Sequence, residues 1–341
     1  MTDTEKQLFA AREAVALACG VCRQVQAALD EVRSITKDDK SPVTVADYAS
    51  QAIVAKTLHD HLGSVNLVAE ENSNFLREEG HGAHLDAALA AVRDVFPEAT
   101  ADEVLEWIDL GVGDTHHAGF WTLDPIDGTK GFLRNQQYAI ALAHIESGTP
   151  SLGIMGCPNL PRNMSEPLDE PDAEGCVYFA LRGEGVYEAA ATARDAEAIR
   201  ITRLDHSAGE PISVTGSVEK AHSNADDTDR ILAWIREHRG ETVGEPVRID
   251  SQCKYAVVAR GQADAYLRMP TRAGYVERIW DHAAGALIAA EAGAAVSDIN
   301  GHELDFTKGR GLEANRGIVC APPRLHGMVI EAIRELGLGS A

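Results

Sequence analysis

Apolar residues recur at helical spacing between residues 4 and 32, at Leu8, Val15, Leu17, Val21, Val25 and Leu29. That spacing puts them on one side of a helix, so the chain is expected to open with an amphipathic one. The polar stretch 37–42 ends in Pro42 and breaks the pattern. A second helix is expected to start between Thr44 and Asp47 and to carry Ile53, Val54 and Leu58. Leu67-Val68-Ala69 is a short apolar run and reads as a buried strand that ends on Glu70 and Glu71. Turn-rich residues 80–84 precede helical stretches at 85–95 and 102–108.

Strands and turns alternate from 119 to 145, and the Ser147-Gly148-Thr149-Pro150 break with the run 151–157 predicts a hairpin. Residues 158–175 mix prolines with carboxylates and read as an irregular loop, and 176–187 as paired strands around a glycine-rich turn. An Ala/Asp/Glu-rich stretch at 189–200 suggests a boundary, dividing the chain into domains 1–190 and 191–341. Beyond it, strands at 212–214 and 247–249 alternate with helices at 228–237 and 282–292, which predicts an α/β second half. No internal repeat is visible.

Composition narrows the class. With 45% hydrophobic and 25% charged residues the chain is globular, and with only 5% aromatics small aliphatic side chains must build its core. The formal charge of −22 excludes a broad nucleic-acid-binding surface, which needs local cation density. It leaves room for a small anionic ligand held by a metal and a few focused cations. No apolar run reaches membrane-spanning length, and residues 1–8 have neither the apolar core of a signal peptide nor the arginines of a transit peptide. A cytoplasmic protein is expected, a monomer or weak homo-oligomer, with a small-molecule substrate and no membrane or nucleic-acid partner. The six cysteines form no disulfide framework in a chain this long. Cys19 and Cys22 make a CxxC pair inside the first helical pattern, where core packing is the expected role.

The chemistry concentrates in Trp121-Thr122-Leu123-Asp124-Pro125-Ile126-Asp127-Gly128-Thr129-Lys130-Gly131. An apolar strand delivers Asp124. Pro125 cannot donate to a ladder, so the chain is expected to leave the sheet there and bring Asp127 back beside Asp124. Two carboxylates and the Ile126 carbonyl are hard oxygen ligands of the kind magnesium prefers. Free amides near Gly128 and Thr129 suit a phosphate. The same dipeptides are also ordinary turn chemistry. Asp281, in Ile279-Trp280-Asp281-His282-Ala283-Ala284-Gly285, reads equally as a ligand or as a helix N-cap.

Three blocks together, Val68-Ala69-Glu70-Glu71, residues 121–131 and residues 280–285, resemble the inositol-monophosphatase-like superfamily of magnesium-dependent, lithium-sensitive phosphatases. Residues 37–47 and 121–133, Gly216-Ser217-Val218-Glu219 with His222-Ser223, Ser251-Gln252-Cys253-Lys254-Tyr255 and Ala265-Tyr266-Leu267-Arg268 are closest to its bisphosphate nucleotidase branch. Asn135-Gln136 departs from the pattern where glycine is expected, which predicts a local loop change.

The resemblance implies a layered α/β/α/β/α sandwich, with an antiparallel sheet in the first half and a smaller α/β unit in the second. It implies two to three Mg2+ ions on Glu70, Asp124, the Ile126 carbonyl, Asp127 and Asp281, and proton transfer by Asp47 and Thr129. It places substrate on Thr129, His222, Ser251, Lys254, Arg268 and Asp281. By residue type alone, Asp47 and Lys254 read equally as exposed helix charges and His222 as a loop residue. Lys40 would orient the loop before Asp47. The implied reaction is removal of the 3′-phosphate of adenosine 3′,5′-bisphosphate. The alternative is an inositol phosphate phosphatase with the same metal centre.

Overall fold

The computed structural model describes residues 1–28, 45–192, 197–202, 206, 209–218, 225–272 and 274–339. The stretch 37–42 with Lys40, and His222, lie outside them.

Helix α1 (Asp3–Ala27) starts with a reciprocal cap. The Glu5 amide donates to Thr2 Oγ1 at 3.2 Å, and the Thr2 amide donates to Glu5 Oε2 at 2.6 Å. Its inward face is built of small residues, Ala10, Ala11, Ala14, Ala18, Cys19 and Cys22. Helix α2 (Val45–Leu62) packs along that face and is buried almost all round. Strand β1 (Leu67–Ala69) follows, then the short α3 (Asn74–Arg77), α4 (Gly82–Arg93) and α5 (Ala101–Asp109). α4 and α5 cover the far side of α2.

The chain then enters β2 (Gly119–Asp127), the one-turn helix α6 (Thr129–Leu133), β3 (Ala139–Glu146), β4 (Thr149–Cys157), β5 (Cys176–Leu181), β6 (Gly185–Ala190) and β7 (Ile199–Ile201). β1 to β7 form one seven-stranded sheet in chain order. The pairings from β2 to β7 are antiparallel, as expected, whereas β1 pairs parallel with β2. Beyond it come β8 (Val214–Gly216), α7 (Ala225–Arg239), β9 (Val247–Arg248), α8 (Cys253–Ala259), β10 (Ala265–Arg268), α9 (Ala283–Glu291), β11 (Ala295–Ser297), β12 (Ile318–Ala321) and α10 (Pro323–Glu335). Their strands form a second sheet in the order β11-β12-β10-β8-β9, parallel across β10, β8 and β9.

Both sheets are covered on both faces, and the side-chain period of two shows it. In β4, Leu152 and Ile154 pack toward α1 and α2, while Met155 and Cys157 join the middle layer with α8 and α9. In β12, Ile318 and Cys320 face that middle layer, while Val319 and Ala321 face α7 and α10. The result is the α/β/α/β/α sandwich. No helix among the described residues is long and apolar enough to cross a membrane.

One expectation is corrected. Pro125 does not take the chain out of the sheet. β2 continues to Asp127, which pairs with Ala139, and the register shifts between Asp124 and Asp127. The missing proline N–H is absorbed in a bulge whose free Pro125 carbonyl accepts from Ser50 Oγ of α2 at 2.9 Å. Asn135 stands where the family pattern has glycine. It takes the left-handed conformation itself, φ 59°, and the Gln136 amide closes back on the Gly131 carbonyl at 2.8 Å. Asparagine tolerates that region, so it caps α6 as a glycine would.

All six cysteines are buried thiols without a disulfide. Burial pushes the Cys19 thiol up to about 12, so it is inert packing rather than redox chemistry. Its sulfur lies over Gly156 of β4: a Cβ there would meet Cys19 Sγ at 2.3 Å and Val15 Cγ1 at 2.8 Å. Gly156→Ala should therefore lower stability by about 1–3 kcal/mol in urea unfolding. Adding Cys19→Ala should recover part of that loss. Strictly additive losses would show that α1 does not close on β4 at this point.

Candidate active site

The first strand pair sets the site. Parallel pairing puts Ala69 opposite Leu123, and the Glu70 amide donates to the Leu123 carbonyl at 3.2 Å. Glu70, just past the end of β1, and Asp124, where the β2–β3 register shifts, therefore lie side by side. Buried polar residues of α2 hold the irregular backbone around them. Besides Ser50 on Pro125, Gln51 donates to the Glu71 and Ile108 carbonyls at 2.7 and 2.8 Å and accepts from the Glu71 amide at 3.1 Å.

After the bulge, Asp127 leads to Gly128 at φ 88°. This turn needs glycine twice over: the angle is left-handed, and a Cβ would lie 2.7 Å from that of Ser251. Ser251 is itself left-handed, φ 65°, a strained angle for a serine. The paired bends aim the Gln252 amide at Asp127 Oδ2, 2.6 Å away. Gln252 then donates to the Trp280 carbonyl at 2.9 Å, next to Asp281.

Nine of the eleven residues singled out from the sequence line one cavity of about 260 Å³. They are Glu70, Asp124, Ile126, Asp127, Thr129, Ser251, Lys254, Arg268 and Asp281. Asp47 is not on its wall. It is buried in the first turn of α2, with its charge acting on Asp124. His222 lies outside the described residues. Asp281 is no helix cap, since His282 occupies that position at the start of α9. Lys254 is not a solvated helix charge either: only 6% exposed, it lies over the Tyr266 ring at 5.6 Å. Thr129 Oγ1 donates to the Ile126 carbonyl at 3.4 Å.

The cavity has an acidic end and a basic end. Burial, then the charges of Glu70, Asp127, Asp281 and Asp47, drives the Asp124 carboxyl well above its ordinary range. Asp281 is raised by burial and Asp127, and Glu70 likewise. Asp127 is raised by burial too, though Lys254 and Arg268 pull it back. Asp124 Oδ1 is buried with no hydrogen-bond partner among the described residues. An orphaned oxygen among repelling carboxylates is what a divalent cation satisfies, so this donor set fits magnesium. At the other end, burial pushes Lys254 down to about 8 against the attraction of Asp127 and Asp250.

A network that sequence reasoning missed sits behind the basic end. Glu277 Oε1 accepts from Arg268 Nε at 2.8 Å, and Oε2 faces His282 Nε2 at 3.3 Å. Tyr255 Oη is 2.9 Å from His282 Nδ1. Glu277, Asp281 and His282 are close enough to hold a metal. However, both His282 nitrogens and both Glu277 oxygens are already engaged, so Glu277 and His282 serve as a brace for Arg268 and α9. Burial alone would raise Glu277. The hydrogen bond and charge of His282, then those of Arg268, hold it at about 2. His282 follows Asp281 in a motif visible in the sequence, whereas nothing marks Glu277 before the fold brings it to Arg268. Asp250, also missed, lines the cavity and is pinned by the Arg134 guanidinium and by the Val218 amide at 3.1 Å.

Comparison with known proteins shows the family and the fold. The inositol monophosphatase family matches residues 3–338. A 3′(2′),5′-bisphosphate nucleotidase of Schizosaccharomyces pombe is 39% identical over 97% of this chain and 95% of its own. A 3′,5′-bisphosphate nucleotidase 2 of Arabidopsis thaliana is 38% identical over 97% and 96%. Among solved structures, CysQ from Bacteroides thetaiotaomicron, a bacterial member of the inositol monophosphatase family, superposes with TM-score 0.59 at 20% identity, covering 94% of this chain and 98% of its own. Inositol monophosphatase from Anabaena superposes with TM-score 0.60 at 18% identity, covering 98% and 97%. At these identities the two superpositions speak for the fold alone. The match over nearly the whole chain and the two full-length relatives make this protein a member of the inositol monophosphatase family, a family of metal-dependent phosphatases.

Proposed function

We propose that the protein hydrolyses the 3′-phosphate of adenosine 3′,5′-bisphosphate, giving AMP and inorganic phosphate, with 3′-phosphoadenylyl sulfate as a second substrate. The observation that carries this reading is the two-ended cavity. One end is a set of carboxylates suited to divalent cations, and the other is a buried Lys254 with a braced Arg268. A substrate with two separated phosphates needs both ends, whereas a single phosphate needs only the first. The names of the full-length relatives support the same choice.

In this reading Glu70, Asp124, Asp127, Asp281 and the Ile126 carbonyl would hold two to three magnesium ions. When bound, these supply positive charge to the phosphoryl oxygens and make a water more acidic. Thr129 orients the attacking water, and for that water's proton to pass toward Asp47 the Thr129 hydroxyl must turn from the Ile126 carbonyl to which it donates here. A threonine hydroxyl is too weak an acid to act as a base by itself, so the carboxylate must drive the transfer. The water oxygen bonds to phosphorus, the bond from phosphorus to O3′ breaks, and O3′ leaves with the electron pair and takes up a proton. Lys254 and Arg268 hold the 5′-phosphate by charge-assisted hydrogen bonds, and Ser251 and His222 complete the nucleotide pocket.

Phosphate release with magnesium, measured on adenosine bisphosphate and on an inositol monophosphate, tests the choice of substrate. Arg268→Ala should cost about 1.5–3 kcal/mol of nucleotide binding, or roughly ten- to a hundredfold, chiefly in KM. Its effect on the inositol ester should be small. An equal loss on both substrates would assign Arg268 to the fold, and no loss on the nucleotide would favour the inositol phosphatase.

Asp124→Asn should lower turnover by at least about a hundredfold with folding retained, since it removes a ligand charge rather than an outer partner. The wild type should lose activity in chelator, regain it with magnesium, and be inhibited by lithium. Full activity in excess chelator would exclude the metal mechanism.

A further inference from the structure

Arg310 stands 241 positions after Ala69 in the chain, yet its guanidinium donates to the Ala69 carbonyl, immediately before Glu70. The same guanidinium lies over the Trp280 ring, 4.8 Å from its centre, immediately before Asp281. The main chain around it is stitched to the Asp281 turn. The Ile279 amide donates to the Arg310 carbonyl at 3.2 Å, the Leu312 amide donates to the Glu277 carbonyl at 2.8 Å, and Arg278 and Gly311 form an antiparallel bridge. One side chain thus joins the two segments that bring Glu70 and Asp281 to the cavity from different parts of the chain.

We propose that Arg310 is a positioning residue for the divalent-cation site, setting the spacing of Glu70 and Asp281 through their preceding residues without itself touching the ion. This rests on the reading of Glu70 and Asp281 as cation ligands. A planar guanidinium can donate in its plane to one group while stacking its face on another, so it fixes the carbonyl and the ring relative to each other. A lysine keeps the charge and a donor but has no flat face to stack. Groups that hold ligands in place govern metal affinity strongly even though they do not bind the metal.

The proposal differs in sign from the simplest electrostatic expectation. A positive charge near a cation site repels the ion, so removing it should tighten binding. If Arg310 acts as a clamp, removing it should weaken binding. Arg278 provides the control. Its guanidinium carbon lies 5.9 Å from the centre of the same Trp280 ring, and its charge acts on Glu70.

Manganese binding to the substrate-free full chain, measured by calorimetry, decides between them. Arg310→Met should weaken manganese binding about tenfold or more, with a cooperative unfolding transition retained in chelator. Arg310→Lys should recover part of the affinity, and Arg278→Met should bind as wild type or more tightly. Unchanged or tighter binding by Arg310→Met, or an equal loss in Arg278→Met, would overturn the proposal. Should Arg310→Met not fold, Arg310→Lys decides, and wild-type affinity in that variant overturns it. A wild type that binds no manganese would instead overturn the cation site itself. Because no substrate is present, each outcome is independent of which ester the enzyme hydrolyses.

Discussion

Four carboxylates crowd one corner of this fold around the buried Asp124, and their mutual repulsion is the constraint on which the rest of the site depends. Two unit charges 4 Å apart repel by about 4 kcal/mol at an effective dielectric near 20, and burial adds its own penalty. Asp124 feels Glu70, Asp127, Asp281 and Asp47 together and keeps an oxygen without a partner among the described residues. Such a corner is tolerable in a folded protein only if its acids take up protons or if cations enter. A phosphatase gains from the second solution, because the same cations receive the charge of the phosphate.

Holding the carboxylates in place falls to groups that do no chemistry. Ser50 and Gln51 satisfy backbone groups at the β2 bulge and at Glu71. The left-handed pair Gly128 and Ser251 turns the Gln252 amide onto Asp127, so the acidic end and the segment bearing Lys254 are tied through one hydrogen bond. Glu277 gives up its own basicity to brace Arg268 and His282. Buried polar groups earn their place in such a site by fixing geometry, since each costs stability unless its partners are met.

What the sequence made legible follows from range. Asp124, Asp127 and Gly128 lie within five residues, and the apolar strand before them and the glycine after them mark the place without help from elsewhere. Glu70 could be placed because an apolar run ends on it. The Pro125 bulge could not, because the group that stabilises it, Ser50, is 75 residues earlier. Asn135 was legible as a departure in residue type but not in its left-handed backbone angle. Glu277 and Arg310 carry no local signal: a lone glutamate or arginine acquires meaning only when another element arrives beside it. Lys254 was ambiguous for the same reason, its burial being decided by packing against Tyr266 and not by neighbours in the chain.

The most direct test of the central claim is the anomalous signal of a crystal grown with manganese and without substrate. Peaks are expected within coordination distance of Glu70, Asp124, Asp127 and Asp281, with Asp124 Oδ1 among the ligands. A cluster free of anomalous density at saturating manganese, with its carboxyl oxygens paired to one another by short hydrogen bonds, would contradict it. The corner would then be neutralised by protons, and the site would not be the metal centre argued from its charges.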